Sequence, residues 1–303
     1  MSVDLAGMRL AHPVLNGSGT FDAIAALRTF GPSLHEEFPF SAFVSKTITP
    51  EPRGGNPPPR LWETPAGMIN SIGLPNKGLS GFLERDLPDL ARLPVPLIVS
   101  VAGFSHDEFA RMVESVAARP EVAALELNVS CPNVKSGCVM GSDPGEMAAL
   151  MEIVRPRTDK VLIVKLTPNV GDVGVVAVAA EAGGADALSL INTVRAMAID
   201  PATGRPWLGA ERGGLSGPAI RPVALEMVHE CASQTGVPMV AMGGIASGRD
   251  ALDFIDAGAT CVAVGTENFR DPGAGNRVRS ELAALLADTS GVAAEDRRRL
   301  LHA

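Results

Sequence analysis

Eight short aliphatic runs punctuate the chain, at 13–15, 42–45, 97–101, 124–129, 161–166, 187–191, 239–242 and 261–264. Each is almost continuously apolar, as strands buried on both faces must be, and such strands belong to parallel sheets. Helix-like segments lie between many of them, at 105–118, 144–158, 173–182, 218–234 and 247–257. Asp143 before Pro144, and Ser247 before its segment, have the chemistry of N-caps, and a proline at the first helical position has no N–H to leave unpaired. Strand and helix in alternation predict an α/β fold.

Two α/β arrangements compete, a closed (β/α)8 barrel and an open doubly wound sheet. The polar residues discriminate between them. Nearly every run ends in polar or glycine residues, among them Asn16-Gly17-Ser18-Gly19, Ser45-Lys46-Thr47, Ser100, Asn128-Val129-Ser130-Cys131, Lys165-Leu166-Thr167, Asn192-Thr193, Gly243-Gly244 and Gly265-Thr266. A barrel gathers all its strand ends around one mouth, whereas an open sheet uses one switch point, so the distribution predicts a single (β/α)8 barrel spanning 1–303. Three connections exceed ordinary βα loops: 47–78, rich in proline; 131–143, rich in glycine; and 194–217. Long loops at the C-terminal face of a barrel predict substrate covers.

Composition narrows the partners. With 26 Lys and Arg against 34 Asp and Glu the chain is acidic, and it has few aromatics, with no Tyr. Both the phosphate-binding charge and the stacking surface of a nucleic-acid binder are therefore missing. Four cysteines, Cys131, Cys138, Cys231 and Cys261, include no CxxC pair and suit a reducing compartment. Neither a basic-then-apolar leader nor an uninterrupted apolar span is found, since Glu181, Asp186 and a glycine pair break the most apolar stretch. A cytoplasmic location is expected.

Four constellations point to chemistry. Gly243-Gly244 and Gly265-Thr266, at the last two strand ends, have the position and openness of a barrel phosphate site, although tight turns alone also call for such glycines. Neither GxGxxG nor a P-loop occurs. Lys46 and Lys165 end apolar strands, which predicts either an anionic ligand or an ion pair with an interior carboxylate such as Glu126. Asn70, Asn128, Asn133 and Asn192 offer the donors and acceptors that a small hydrogen-bonding ring requires. Cys131 follows a strand end in a polar loop and is the candidate base, whereas Cys231 and Cys261 read as inert core thiols. No histidine is placed to activate it as a hydrolase nucleophile.

Taken together, Leu127-Asn128-Val129-Ser130-Cys131-Pro132-Asn133, Asn70-Ser71-Ile72-Gly73-Leu74, Lys165-Leu166-Thr167-Pro168-Asn169 and Gly213-Gly214-Leu215-Ser216-Gly217-Pro218 resemble a class 1 dihydroorotate dehydrogenase along essentially the whole chain. The segments 50–60 and 133–137 resemble its NAD-linked subtype. This resemblance implies an FMN-containing barrel that oxidises dihydroorotate to orotate in pyrimidine biosynthesis. It implies that Cys131 removes a proton from carbon 5 while hydride leaves carbon 6 for the flavin, and that Lys165 stabilises the reduced flavin. Substrate would be held by Lys46, Asn70, Ser71, Ile72, Gly73, Leu74, Asn128, Asn133, Asn192 and Thr193. FMN would be lined by Ser18, Gly19, Lys46, Thr47, Ser100, Asn128, Lys165, Ile191, Gly217, Gly243, Gly244, Gly265 and Thr266, the last four around its phosphate. The subtype implies a homodimeric core with a second subunit carrying FAD and a 2Fe–2S cluster, and no metal in this chain. Two residues depart from the commonest pattern, Cys138 where glycine is usual and Ser100 where asparagine is frequent.

Other readings of the same residues are a fumarate-dependent enzyme of the family, another flavin-dependent pyrimidine reductase, and a non-redox isomerase or lyase that binds phosphate at Gly243-Gly244 and Gly265-Thr266. A non-catalytic assembly subunit would leave the polar strand ends unexplained.

Overall fold

In the computed structural model, which describes residues 1–31, 33–130 and 139–288, eight parallel strands form one sheet. They are β1 (Val14–Asn16), β2 (Phe43–Val44), β3 (Leu97–Val101), β4 (Val122–Asn128), β5 (Val161–Lys165), β6 (Ala187–Leu190), β7 (Met239–Ala241) and β8 (Cys261–Val264). Around the sheet they follow chain order from β2 to β8, and β8 then pairs with β1. Helices follow the strands, among them His106–Ala117, Pro144–Val154, Val173–Ala182, Arg221–Gln234 and Gly248–Asp256. The expected (β/α)8 barrel is the observed architecture. Asp143 and Ser247 cap their helices as predicted, accepting from the amides of Glu146 and Asp250.

Two apolar layers hold this arrangement. Outward-facing strand residues such as Val99, Leu125, Leu127, Val164 and Leu188 pack against the helices. Inside the barrel, Leu15, Ile98, Ala124, Ile163, Ala187 and Ala263 form a second cluster together with Leu5 and Leu10. Those two leucines come from an N-terminal hairpin, Val3–Leu5 paired with Met8–Leu10, which sequence patterning did not single out. The interior is therefore a packed core below and a polar chamber only at the mouth.

At the closure between β1 and β2 a side chain takes the place of part of the ladder. Asn16 is fully buried; its Nδ2 donates to the Val44 carbonyl at 2.8 Å, and its Oδ1 accepts from the Val44 amide at 2.9 Å. Beside it, the Ser41 amide donates to the Val14 carbonyl at 3.0 Å. The asparagine thus performs the pairing that a ladder residue would perform, and the polar group at the end of the first run serves the seam. Asn16→Leu would leave two backbone groups of Val44 buried without partners, at about 1–3 kcal/mol each. Urea unfolding should show a loss of about 2–6 kcal/mol, and a loss below about 1 kcal/mol would contradict this role.

His12, also buried, accepts from the Val14 amide through Nδ1 at 3.3 Å. Burial, helped by the Arg279 charge, pushes its pKa down from 6.5 to about 4. Between those values the unfolded chain binds a proton that the folded chain refuses. Its contribution to stability is therefore complete above 6.5 and is lost as pH falls through the window toward 4. Over that window we expect unfolding free energy to drop by on the order of 2–3 kcal/mol, and by clearly less in His12→Asn. Equal pH dependence in the two proteins would contradict it.

The first and third long connections meet over the mouth. Leu61–Thr64, Gly67–Asn70, Gly213–Ser216 and Val194–Ala196 form one antiparallel sheet in which Gly67–Asn70 pairs with Gly213–Ser216. Ile69, Ala198 and Leu208 form a small core of its own, with Trp62 and Trp207 packed against it. Among the described residues, no helix is long and apolar enough to cross a membrane.

Candidate active site

At the strand ends, beneath this sheet, lies a cavity of about 560 Å³. Its lining contains Ser18, Gly19, Lys46, Thr47, Asn70, Ile72, Gly73, Leu74, Asn128, Lys165, Ile191, Asn192, Thr193, Gly217, Gly243, Gly244, Gly265 and Thr266. Residues from all parts of the chain thus converge on one chamber. Ser71 and Ser100 stand behind the lining: the Ser71 hydroxyl accepts from Asn56 at 2.8 Å, and Ser100 is fully buried. Cys131 and Asn133 lie outside the described residues, as does Cys138.

The floor is a connected polar layer. Thr47 Oγ1 lies 2.9 Å from Ser100 Oγ and 3.2 Å from Ser18 Oγ, and accepts from Asn128 Nδ2 at 3.2 Å. Asn192 Nδ2 donates to Asn128 Oδ1 at 3.2 Å and to Ser130 Oγ at 2.8 Å. One run of hydroxyls and amides therefore links the ends of β2, β3, β4 and β6. Such mutual bonding fixes each side chain's direction before any ligand arrives, which is the preorganisation that recognition requires. Asn70 reaches the chamber from above, tied to the Gly214 carbonyl at 3.2 Å.

Both lysines line the chamber, in different settings. Lys165 is buried, with Nζ 3.8 Å from Glu126 Oε1, so the ion-pair reading of this lysine is realised, and it also lines the chamber. Lys46, by contrast, is open to the cavity. The protein walls around it still strip part of its hydration, which lowers its pKa below the usual lysine value against the opposing pull of Asp22. Two cations facing one chamber, among amides that both donate and accept, suit a small anionic ring.

Across the chamber, the ends of β7 and β8 present backbone. The amides of Gly243, Gly244, Gly265 and Thr266 have no acceptor among the described residues. At Gly243 and Gly244 φ is +135° and +80°, conformations that favour glycine. A Cβ on Gly244 would come within 2.8 Å of the Gly217 carbonyl, so here the turn and the open amides coincide. Unpaired N–H groups converging at strand ends form an anion cradle.

The described residues that flank 131–138 are bonded into the barrel. Ser130 is bonded to Asn192 in the lining, and after the segment the Gly141 amide donates to the Val129 carbonyl at 2.9 Å. Cys231 and Cys261 are fully buried, and burial pushes both thiols up to about 12, which leaves no thiolate near neutrality.

Sequence reasoning missed Leu61, Met68, Ser216, Ile220, Met242 and Phe269, which also line the chamber. Met242 is the last residue of the predicted run 239–242 and directly follows the observed strand, so the strand-end rule could have found it. Leu61 and Met68 enter only through the antiparallel sheet over the mouth, for which no local pattern gave a signal.

Comparison with known proteins converges on one family. The dihydroorotate dehydrogenase family model matches residues 1–286. The chain is 48% identical over 288 residues to the "Dihydroorotate dehydrogenase B (NAD(+)), catalytic subunit" of Desulforudis audaxviator, with 95% of this chain and 92% of that protein covered. It is 46% identical over 296 residues to the protein of the same name from Trichlorobacter lovleyi, covering 95% and 94%. For that of Geobacter sulfurreducens the identity is 45% over 297 residues, covering 97% and 95%. With fold, strand-end chamber and relatives in agreement along its length, the chain belongs to the dihydroorotate dehydrogenase family.

Proposed function

We propose that this chain oxidises dihydroorotate to orotate in pyrimidine biosynthesis, with FMN as resident cofactor and NAD as final acceptor through a partner subunit. The observation that carries the reading is one chamber holding an amide cradle on one side and two lysines among asparagines on the other. The cradle suits a phosphate, and the polar floor suits a flat ring rich in heteroatoms. The residues present therefore fit FMN.

In this reading Gly243, Gly244, Gly265 and Thr266 hold the phosphate, while Ser18, Gly19, Thr47, Ile191 and Gly217 line the remainder of the cofactor site. Ser100 acts through Thr47, to which it is bonded, so its short side chain costs no direct contact. Lys46 neutralises the substrate carboxylate, and Asn70, Asn128, Asn133, Asn192 and Thr193 orient the ring, with the backbone of Ser71 to Leu74 closing over it. Bound FMN supplies the two-electron acceptor that no side chain offers. Cys131 takes the proton from carbon 5, and Lys165 sets a fixed positive charge where negative charge develops. The antiparallel sheet over the mouth keeps water from the reacting atoms.

The whole chain acts as one barrel domain, dimerises, and pairs with an FAD and 2Fe–2S subunit in the cytoplasm. Its own four cysteines include a base and two deeply buried thiols, so the cluster belongs to the partner. Flavin released from the purified chain by acid should be FMN, about one per chain, on chromatography. A preparation that is colourless, and stays so when FMN is added, would contradict the reading and favour a non-redox barrel.

A further inference from the structure

Just below the chamber floor, the barrel interior contains a carboxylate that packing alone does not explain. Glu126 on β4 is 2% exposed; its register partners are Ser100 on β3 and Ile163 on β5, and Ile98, Ala124, Ile163 and Ala187 belong to the apolar cluster inside the barrel. Ser189 Oγ donates to its Oε2 at 2.9 Å. The other oxygen, Oε1, is buried and has no hydrogen-bond partner among the described residues. An apolar residue would fill this position without that desolvation cost.

Among the described residues the cation paired with it is Lys165, with Nζ 3.8 Å from that oxygen. That is within ion-pair range and beyond hydrogen-bond range. The same lysine lines the chamber. Its ammonium thus stands between two claimants, Glu126 below and whatever anion occupies the chamber above. A move of roughly 1 Å toward Oε1 would complete a hydrogen bond and withdraw the charge from the cavity.

We propose that Glu126, held by Ser189, is the counter-ion that sets how much of the Lys165 charge reaches the chamber. Glu126 is then a positioning residue: it touches no ligand, and it tunes the site's affinity for negative charge through the ammonium. The inference rests on the FMN reading above. When the group in the chamber gains negative charge on reduction, the ammonium shifts its allegiance upward, and Glu126 limits how far reduction is favoured.

Two substitutions predict opposite signs. In Glu126→Gln the charge of Lys165 is no longer offset, so reduced flavin should be bound at least tenfold more strongly relative to oxidised. For a two-electron couple that is a midpoint potential raised by about 30 mV. Ser189→Ala removes the donor on Oε2, so Glu126 leans wholly on Lys165 and the potential should fall. In a Lys165→Met background the Ser189→Ala shift should vanish, because it acts through the ammonium.

The measurement is dye-coupled redox titration of the FMN-loaded chain. An unchanged or lowered potential in Glu126→Gln, or an unchanged or raised one in Ser189→Ala, would overturn the proposal. If Glu126→Gln does not fold, Ser189→Ala and its Lys165→Met control decide alone. Failure to bind FMN at all would instead remove the FMN reading, and this inference with it. Bound FMN with unmoved potentials removes only this one.

Discussion

Cys131→Ala is expected to bind FMN and orotate as the parent does, yet to lose about 10²–10⁴-fold in the rate of flavin reduction by dihydroorotate. The reasoning is local. Cys131 follows Ser130, whose hydroxyl is bonded to Asn192 in the chamber lining. Two of the chain's other thiols, Cys231 and Cys261, are buried, with their pKa values pushed up to about 12, and cannot substitute for it. A thiol of ordinary pKa near ~8.5 is mostly protonated at neutrality, so the reductive half-reaction should quicken toward mildly alkaline pH and that rise should disappear with the thiol. Anaerobic single-turnover mixing reads both effects. A variant that reduces its flavin at near-parental rate, or a parent whose chemical step is flat through this range, would contradict a thiolate base.

Gly265→Asp is expected to weaken FMN binding at least about 100-fold, since a like charge placed against an anion costs several kcal/mol. This glycine is the informative one in the cradle. A Cβ there meets nothing nearer than Thr20 Cγ2 at 3.9 Å, and its φ is not in the positive range, so the backbone accepts a side chain without strain. At Gly243 the corresponding Cβ would strike Ala224 at 2.6 Å, and loss of binding would be confounded with loss of fold. Gly265→Ala provides the control and should retain most affinity. Fluorescence titration of the apoprotein with FMN measures all three proteins. Parental affinity in Gly265→Asp would place the phosphate elsewhere.

The barrel was legible in the sequence because its information is local and repeated. Strands buried on both faces must be apolar throughout, and the last residue of each reports which end is the mouth. The run 97–101 is β3 as read, and Val173–Ala182 is the helix as read. Longer-range structure was less accessible. Leu61–Thr64 and Gly67–Asn70 lie among prolines and alternate weakly; they pair with each other, but the partner that fixes them over the mouth, Gly213–Ser216, is about 150 residues away, so no window contains that pairing. Asn16 shows the converse difficulty: a polar residue at most of the other strand ends marks the site, yet here its amide bridges the barrel seam. Ser100 is similar, at the mouth by sequence and one layer beneath it in space. Residue type and position along the strand locate the chamber; which atoms face it depends on how neighbouring strands are staggered.

In the proposed function, this chamber oxidises dihydroorotate and delivers the electrons to NAD. The most direct measurement mixes the FMN-loaded chain with dihydroorotate in the absence of oxygen and follows the flavin absorbance. NAD or fumarate is then offered, with and without the co-purified electron-transfer subunit. We predict bleaching within a single turnover, with reoxidation by NAD only when that subunit is present. Absence of bleaching would contradict the substrate, and reoxidation by fumarate alone would contradict the NAD-linked assignment.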